Sequence, residues 1–253
     1  MEEATRPLVT VRIDKRAEGN VAYVTVDNAE HRNRLGKQGK QDLIDVFRRL
    51  GKDDELRVAV LTGAGEKSFI AGSDIKEMRD QDEEGQRDVS TKTHYACDAI
   101  RRLPVPVIAR INGYCFGSGM ELAAACDMRA AIDTAKFGMP EVKFGIPSGM
   151  EACLLPLLIG WGKARELVLT GEHIDSEEAY RTGFLQRLVC ASRHPGDGAL
   201  ARDRRTQAID AGLPRSDGRP PVRHGTGRSD ANAKPTCRDR NSCRPVVRNE
   251  RGF

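Results

Sequence analysis

The segment INGYCFGSGMELAAACDMRAAI, residues 111–132, constrains this chain more than any other. A strand-like run from Val105 to Ile111 reaches Asn112-Gly113, passes Gly117-Ser118-Gly119 and enters an Ala-rich helix with Glu121 in its first turn. A turn of small residues feeding a helix N-terminus leaves peptide N–H groups unpaired and directed outward, where they suit a developing anion. Glu121 sets a carboxylate beside those donors, and Glu141 follows behind a second small-residue turn, FGMP. Peptide donors with two acids form a candidate site for chemistry at a carbonyl.

The rest of the chain splits into two kinds of material. Val9 to Asp14 and Val21 to Asp27 alternate apolar and polar residues as half-buried strands do, and Leu43, Ile44, Phe47 and Leu50 recur at helical spacing. Val58 to Thr62, the Ser68–Asp74 strand-to-turn element, Met128 to Ile132 and a short strand at Phe137 add further strands. Helices are expected from about Ile75, over Val89 to Arg102, and over Ser148 to Ile159, Lys163 to Leu169 and Ser176 to Thr182. Strands and helices alternating at this spacing indicate an α/β domain over residues 1–190. Residues 191–253 instead hold 13 Arg and one Lys against seven acids, half of the 12 prolines and a single aromatic. That tail is expected to be disordered or poorly packed, because it has too few apolar residues and too many chain breakers to fold alone.

Several classes of function lose support. No apolar stretch approaches the roughly 20 residues of a membrane span. The acidic start MEEATRPLVTVRID does not read as a signal peptide, so a cytoplasmic protein is expected. Seven cysteines show no CxxC pairing, and Cys115, Cys126 and Cys153 read as small reduced core residues. Five scattered histidines form no HExxH pattern, so no metal site is expected. The tail carries a surplus of seven positive charges, leaving −3 on residues 1–190. It could attract phosphate without specificity, yet it has no interleaved aromatics to stack bases, so no specific nucleic-acid partner is expected.

Four collinear pieces, VAVLTGAGEKSFIAGSDIKEM, PVIARINGYCFGSGMELAAACD, AKFGMPEVKFGIPS and LVLTGEHIDSEEAYRTGFLQRLV, resemble the crotonase superfamily, specifically the enoyl-CoA hydratase/isomerase family. With the N-terminal strands, the resemblance covers about residues 8–190. It implies a crotonase-like spiral of ββα units and an acyl-CoA-binding core. It also implies an oxyanion hole made by the peptide N–H groups of Ser73 and Ser118, with Phe69, Ala71, Gly72 and Gly117 lining the substrate pocket. Glu121 and Glu141 match the two acids of the hydratases: Glu141 as the main acid/base, Glu121 as its partner in holding and activating water. No cofactor is implied, coenzyme A entering only as the thioester substrate.

The resemblance also marks two departures. After the second acid the chain reads Ile146-Pro147-Ser148-Gly149-Met150-Glu151, placing a bulky side chain and a third acid where a Gly-rich stretch is usual. The break near Val189 replaces the helices that in the family cover the site and build a trimer, and an Arg/Pro/Gly-rich ending is what a shifted reading frame would produce. Three readings therefore stay open: an enoyl-CoA hydratase-type lyase, an enoyl-CoA isomerase, and a weakly active crotonase-like remnant lacking the trimerisation helices. A homo-trimer or hexamer is expected if the C-terminus permits.

Overall fold

From the strand that opens at Leu56 to the one that opens at Lys136, consecutive strands join two different sheets in turn, and that alternation is what builds the site. In the computed structural model, residues 7–79 and 82–190 are described; the tail from 191 lies outside the described residues. β1 (Val9–Arg16) and β2 (Gly19–Val26) form an antiparallel pair, and α1 (Lys37–Leu50) leads to β3 (Leu56–Gly63), parallel to β2. β4 (Ser68–Ile70) leaves for the second sheet before α2 (Ile75–Arg79) and α3 (Glu83–Arg101) return the chain. The unit repeats as β5 (Val107–Ile111), β6 (Tyr114–Phe116) and α4 (Ser118–Ala125). β7 (Met128–Ile132) and β8 (Lys136–Gly138) begin a third unit, completed through two 3₁₀ turns by α5 (Leu155–Ile159) and α6 (Trp161–Thr170). β9 (His173–Asp175), α7 (Ser176–Arg181) and β10 (Arg187–Val189) follow. The first strand of each unit enters a six-stranded sheet ordered β1-β2-β3-β5-β7-β10, the second a four-stranded sheet ordered β4-β6-β8-β9. This is the expected spiral of ββα units.

Strand alternation divides the large sheet into two faces. Val24 and Val26 of β2, Ala59 and Leu61 of β3 and Val107, Ala109 and Ile111 of β5 enter the main core with Leu43 and Phe47 of α1 and Ile100 of α3. Val21, Val58 and Ile108 form a smaller cluster of their own. All eight residues of α4 are buried, which is why its sequence is apolar all round apart from its polar first turn. Arg129 of β7, itself buried, holds the far end of that helix by donating to the carbonyls of Ala123 at 3.2 Å and Cys126 at 2.7 Å. A cation on the last free carbonyls of a helix both satisfies them and complements its dipole.

The structure departs from the sequence reading in three places. α3 begins at Glu83, ahead of the expected start at Val89, because the Asp82 side chain accepts the Gly85 N–H and caps it. The expected helix over Ser148–Ile159 is a 3₁₀ turn at Met150–Leu154 running into the shorter α5. Cys153, expected in the core, is consequently exposed, whereas Cys115 and Cys126 are buried thiols. A three-residue period puts Cys153 over Met150, on the outer side of the turn, and turns Glu151 inward.

Candidate active site

Three neighbouring parallel strands of the small sheet end side by side, and each delivers one part of the site. Ile70 of β4 pairs with Cys115 of β6, and Phe116 of β6 with Gly138 of β8. Beyond β4 the chain turns through Ala71-Gly72-Ser73, beyond β6 through Gly117 into α4, and beyond β8 through Met139-Pro140 to Glu141. Gly72 and Gly117 have φ of +105° and +52°, the left-handed region where a glycine carries no Cβ penalty. Neither the Ser73 nor the Ser118 peptide N–H meets an acceptor among the described residues. Open space beyond the carboxyl ends of parallel strands is where α/β sheets accept ligands.

A cavity of about 500 Å³ occupies that space. Of the residues expected from the sequence, Ala71, Gly72, Ser73, Gly117, Ser118, Glu121 and Glu141 all line it. Phe69 does not. It is fully buried in β4 and belongs to the main core, so the expectation that it touches substrate is corrected to a packing role. Ile75, Met78, Val89, Phe144, Ile146 and Met150 give the cavity an apolar wall, while exposed Arg32, Lys143 and His173 line it as well.

The two acids sit in different surroundings. Glu121 is 2% exposed, accepts the Ala152 N–H at 3.1 Å and packs so closely on Gly149 that a Cβ there would lie 2.5 Å from Oε1. Glu141 lies on a 3₁₀ turn with its Oε1 against Gly117, at the N-terminus of α4, and its buried Oε2 has no hydrogen-bond partner among the described residues. A buried carboxylate oxygen without a partner calls for water or substrate. Burial raises Glu141 above the ordinary carboxylate range. The third acid, Glu151, lies outside the cavity lining; it is buried and pairs with His94 Nδ1 at 2.6 Å.

Burial pushes Glu121 up to about 8, with repulsion from Glu141 and then Glu151 adding to it, and the Ala152 N–H and Lys40 opposing. The folded state thus binds this proton more tightly than the unfolded chain. That contribution to stability is whole below the unfolded value of 4.5 and is lost as pH rises through about 8. Glu121→Gln removes the titration. Its melting temperature relative to the parent should therefore climb by several degrees between about pH 5 and about pH 9. Parallel melting curves for the two proteins at both pH values would show the carboxyl is not held as described.

Lys40 is the residue that sequence reasoning missed. It also lines the cavity, is 1% exposed, and donates from Nζ to Ser73 Oγ at 2.9 Å and to the Val89 carbonyl at 3.1 Å. A signal was present: Lys40 precedes Leu43 by three and Ile44 by four, so it continues the apolar stripe of α1 as a cation.

Fold and cavity together define a protein of crotonase type, with the unpaired Ser73 and Ser118 peptide N–H groups beyond the ends of β4 and β6. The family model for enoyl-CoA hydratase/isomerase matches residues 16–198, and the chain belongs to that family. It is 37% identical over 173 residues to a short-chain-enoyl-CoA hydratase of Clostridium acetobutylicum, covering 68% of this chain and 66% of that protein. It is 41% identical over 176 residues to an (E)-benzylidenesuccinyl-CoA hydratase of Thauera aromatica, covering 67% and 66%. The match thus spans just under two thirds of the length of these relatives. Among solved structures, an enoyl-CoA hydratase of Bacillus anthracis superposes with a TM-score of 0.71 at 32% identity, over 79% of this chain and 75% of that one.

Proposed function

We propose that this chain is an enoyl-CoA hydratase-type lyase, adding water to a 2-enoyl-CoA thioester or removing it from the 3-hydroxy product. The observation that carries this is that one cavity is lined by Glu121, Glu141 and two serines, Ser73 and Ser118, whose peptide N–H groups meet no acceptor among the described residues. The N–H groups of Ser73 and Ser118 hold the thioester oxygen and stabilise the enolate that forms there, and a donor of this kind contributes roughly 3–4 kcal/mol to the barrier. Glu141 takes a proton from water as the water oxygen bonds to the β-carbon; the same proton then goes to the α-carbon as the enolate collapses. Glu121, neutral at pH 7, holds the water. Two nearby carboxyls divide these tasks because the charge of one raises the proton affinity of the other, and they titrate as a pair. Adding the hydroxyl and proton of one water molecule across the double bond changes no net oxidation state and so calls for no redox group, and coenzyme A enters as part of the substrate.

The names of the relatives support hydration over double-bond migration. Arg32 and Lys143 along the lining suit the phosphates of coenzyme A. Residues 1–190 form the acyl-CoA-binding unit in this reading, with a homo-trimer or hexamer supported by the exposed Leu157, Trp161 and Leu169. The test is direct. Purified protein mixed with crotonyl-CoA should bleach the enoyl-thioester absorbance as water adds; isomerisation of a 3-enoyl-CoA with no hydration would overturn the lyase reading.

A further inference from the structure

Lys40 is costly where it lies. Its ammonium is buried on the inner side of α1, and no carboxylate among the described residues comes within ion-pairing distance of it. A buried ammonium outside ion-pairing distance of any carboxylate is costly, its burial outweighing the more distant pull of Glu121 and Glu77, whereas an apolar side chain would simply continue the stripe of Leu43, Ile44 and Phe47. Packing therefore does not account for the cation.

Its hydrogen bonds all run in one direction. An ammonium has no lone pair, so Ser73 Oγ must accept from Lys40 Nζ, at 2.9 Å. The Ser73 hydroxyl proton passes to Ser118 Oγ, 3.2 Å away. Two hydroxyls sharing one bond leave one O–H over, and Ser118 has no further acceptor among the described residues. Both serines line the same cavity, and the peptide N–H of each meets no acceptor among the described residues. A chain that starts on a cation thus ends in an unspent proton beside both peptide donors.

We propose that this chain is a third arm of the oxyanion hole. The Ser118 hydroxyl donates to the thioester oxygen as it becomes an enolate oxygen, and Lys40 is a positioning residue that fixes the direction of the chain and places positive charge behind it. The inference rests on the acyl-CoA reading of the cavity. Donors held in place before reaction stabilise the charge that develops in the transition state more than the neutral ground state, and each link of the chain polarises the next. Burial lowers Lys40 only to about 8, so it remains largely cationic at neutral pH.

The test separates field at the carbonyl from simple binding. A para-dimethylaminocinnamoyl-CoA thioester absorbs at longer wavelength as its carbonyl is polarised, and bound to the parent protein it should shift to the red. In Lys40→Met and Ser118→Ala the chromophore should still bind, with less than half of that shift. Turnover of crotonyl-CoA should fall roughly 100-fold, and affinity for saturated butyryl-CoA should stay within about threefold. An undiminished red shift in Lys40→Met overturns the proposal, as does a red shift that falls together with butyryl-CoA affinity and melting temperature. If Lys40→Met does not fold, Ser73→Ala removes the middle link with Lys40 in place, and a full shift there is equally fatal. Failure of the parent to bind the chromophore overturns the acyl-CoA reading and this inference with it. A chain-dependent shift without hydration of crotonyl-CoA supports the inference and overturns the hydratase reading alone.

Discussion

Glu141→Gln is expected to lower turnover of crotonyl-CoA by roughly 1000-fold while leaving the affinity for butyryl-CoA within a few-fold. Gln keeps the size and shape of the side chain, so the 3₁₀ turn at Pro140–Phe144 and the contact with Gly117 persist. What it loses is the ability to take a proton from water and return it to carbon. General acid–base catalysis contributes 10²- to 10⁴-fold, and Glu141 is asked for both transfers, so the expected loss sits in the upper part of that range. Its Oε2, without a partner among the described residues, is the oxygen available for this work, while Glu121 Oε1 accepts the Ala152 N–H and leaves its other oxygen to hold the water. Losing the Glu141 charge also removes one of the repulsions that raise Glu121, so the residual activity should lose its pH dependence at a lower pH than the parent. Steady-state kinetics with titration of the saturated ligand separate the two effects. Turnover within tenfold of the parent would remove Glu141 from the chemistry.

Much of this site could be read in the sequence because its parts lie on elements with strong local signals. Val107–Ile111 and Met128–Ile132 are short, mostly apolar runs bounded by turn residues and read as buried strands, and the Gly-Ser-Gly entry into an Ala-rich helix announces α4. The second strand of each unit was harder to see. β6, β8 and β9 have three residues each, too few to show a period of two, and β6 lies inside the turn motif itself. Phe69 shows the same limit in a side chain. Ser68, Phe69 and Ile70 are all buried and none lines the cavity, and nothing in their pattern tells that the lining begins only at Ala71. Lys40 escaped because a lysine is ordinarily assigned to solvent, and only its register with Leu43 and Ile44 argued otherwise.

The glycines of two helices should respond to alanine in opposite senses. In helix interiors alanine is favoured over glycine by about 1 kcal/mol, through helix propensity and a less flexible unfolded chain. Gly162 in α6 has nothing within 4 Å of the place an alanine methyl would take. Gly162→Ala should accordingly stabilise by about 0.5–1 kcal/mol, read as a higher urea midpoint with an unchanged slope. Gly119, in the first turn of α4, faces β4 instead: a Cβ there would overlap the Ile70 carbonyl oxygen and come within 2.9 Å of the Ile70 carbonyl carbon and Cβ. The gain in propensity is the same, but overpacking costs typically 1–3 kcal/mol, and the obstacle is backbone that cannot rotate away. Relief requires α4 to move off β4. Ile70 leads directly into Ala71-Gly72-Ser73, and Gly119 directly follows Ser118, so the movement parts the two peptide donors whose serine hydroxyls stand 3.2 Å apart. A misplacement of about 1 Å in a positioned group can cost 10²-fold in rate. Gly119→Ala is therefore expected to lower the urea midpoint and to reduce crotonyl-CoA turnover by roughly 100-fold or more, even at temperatures where the protein remains folded. Full activity in that variant would mean that the close approach of α4 to β4 does not set the spacing of the donors.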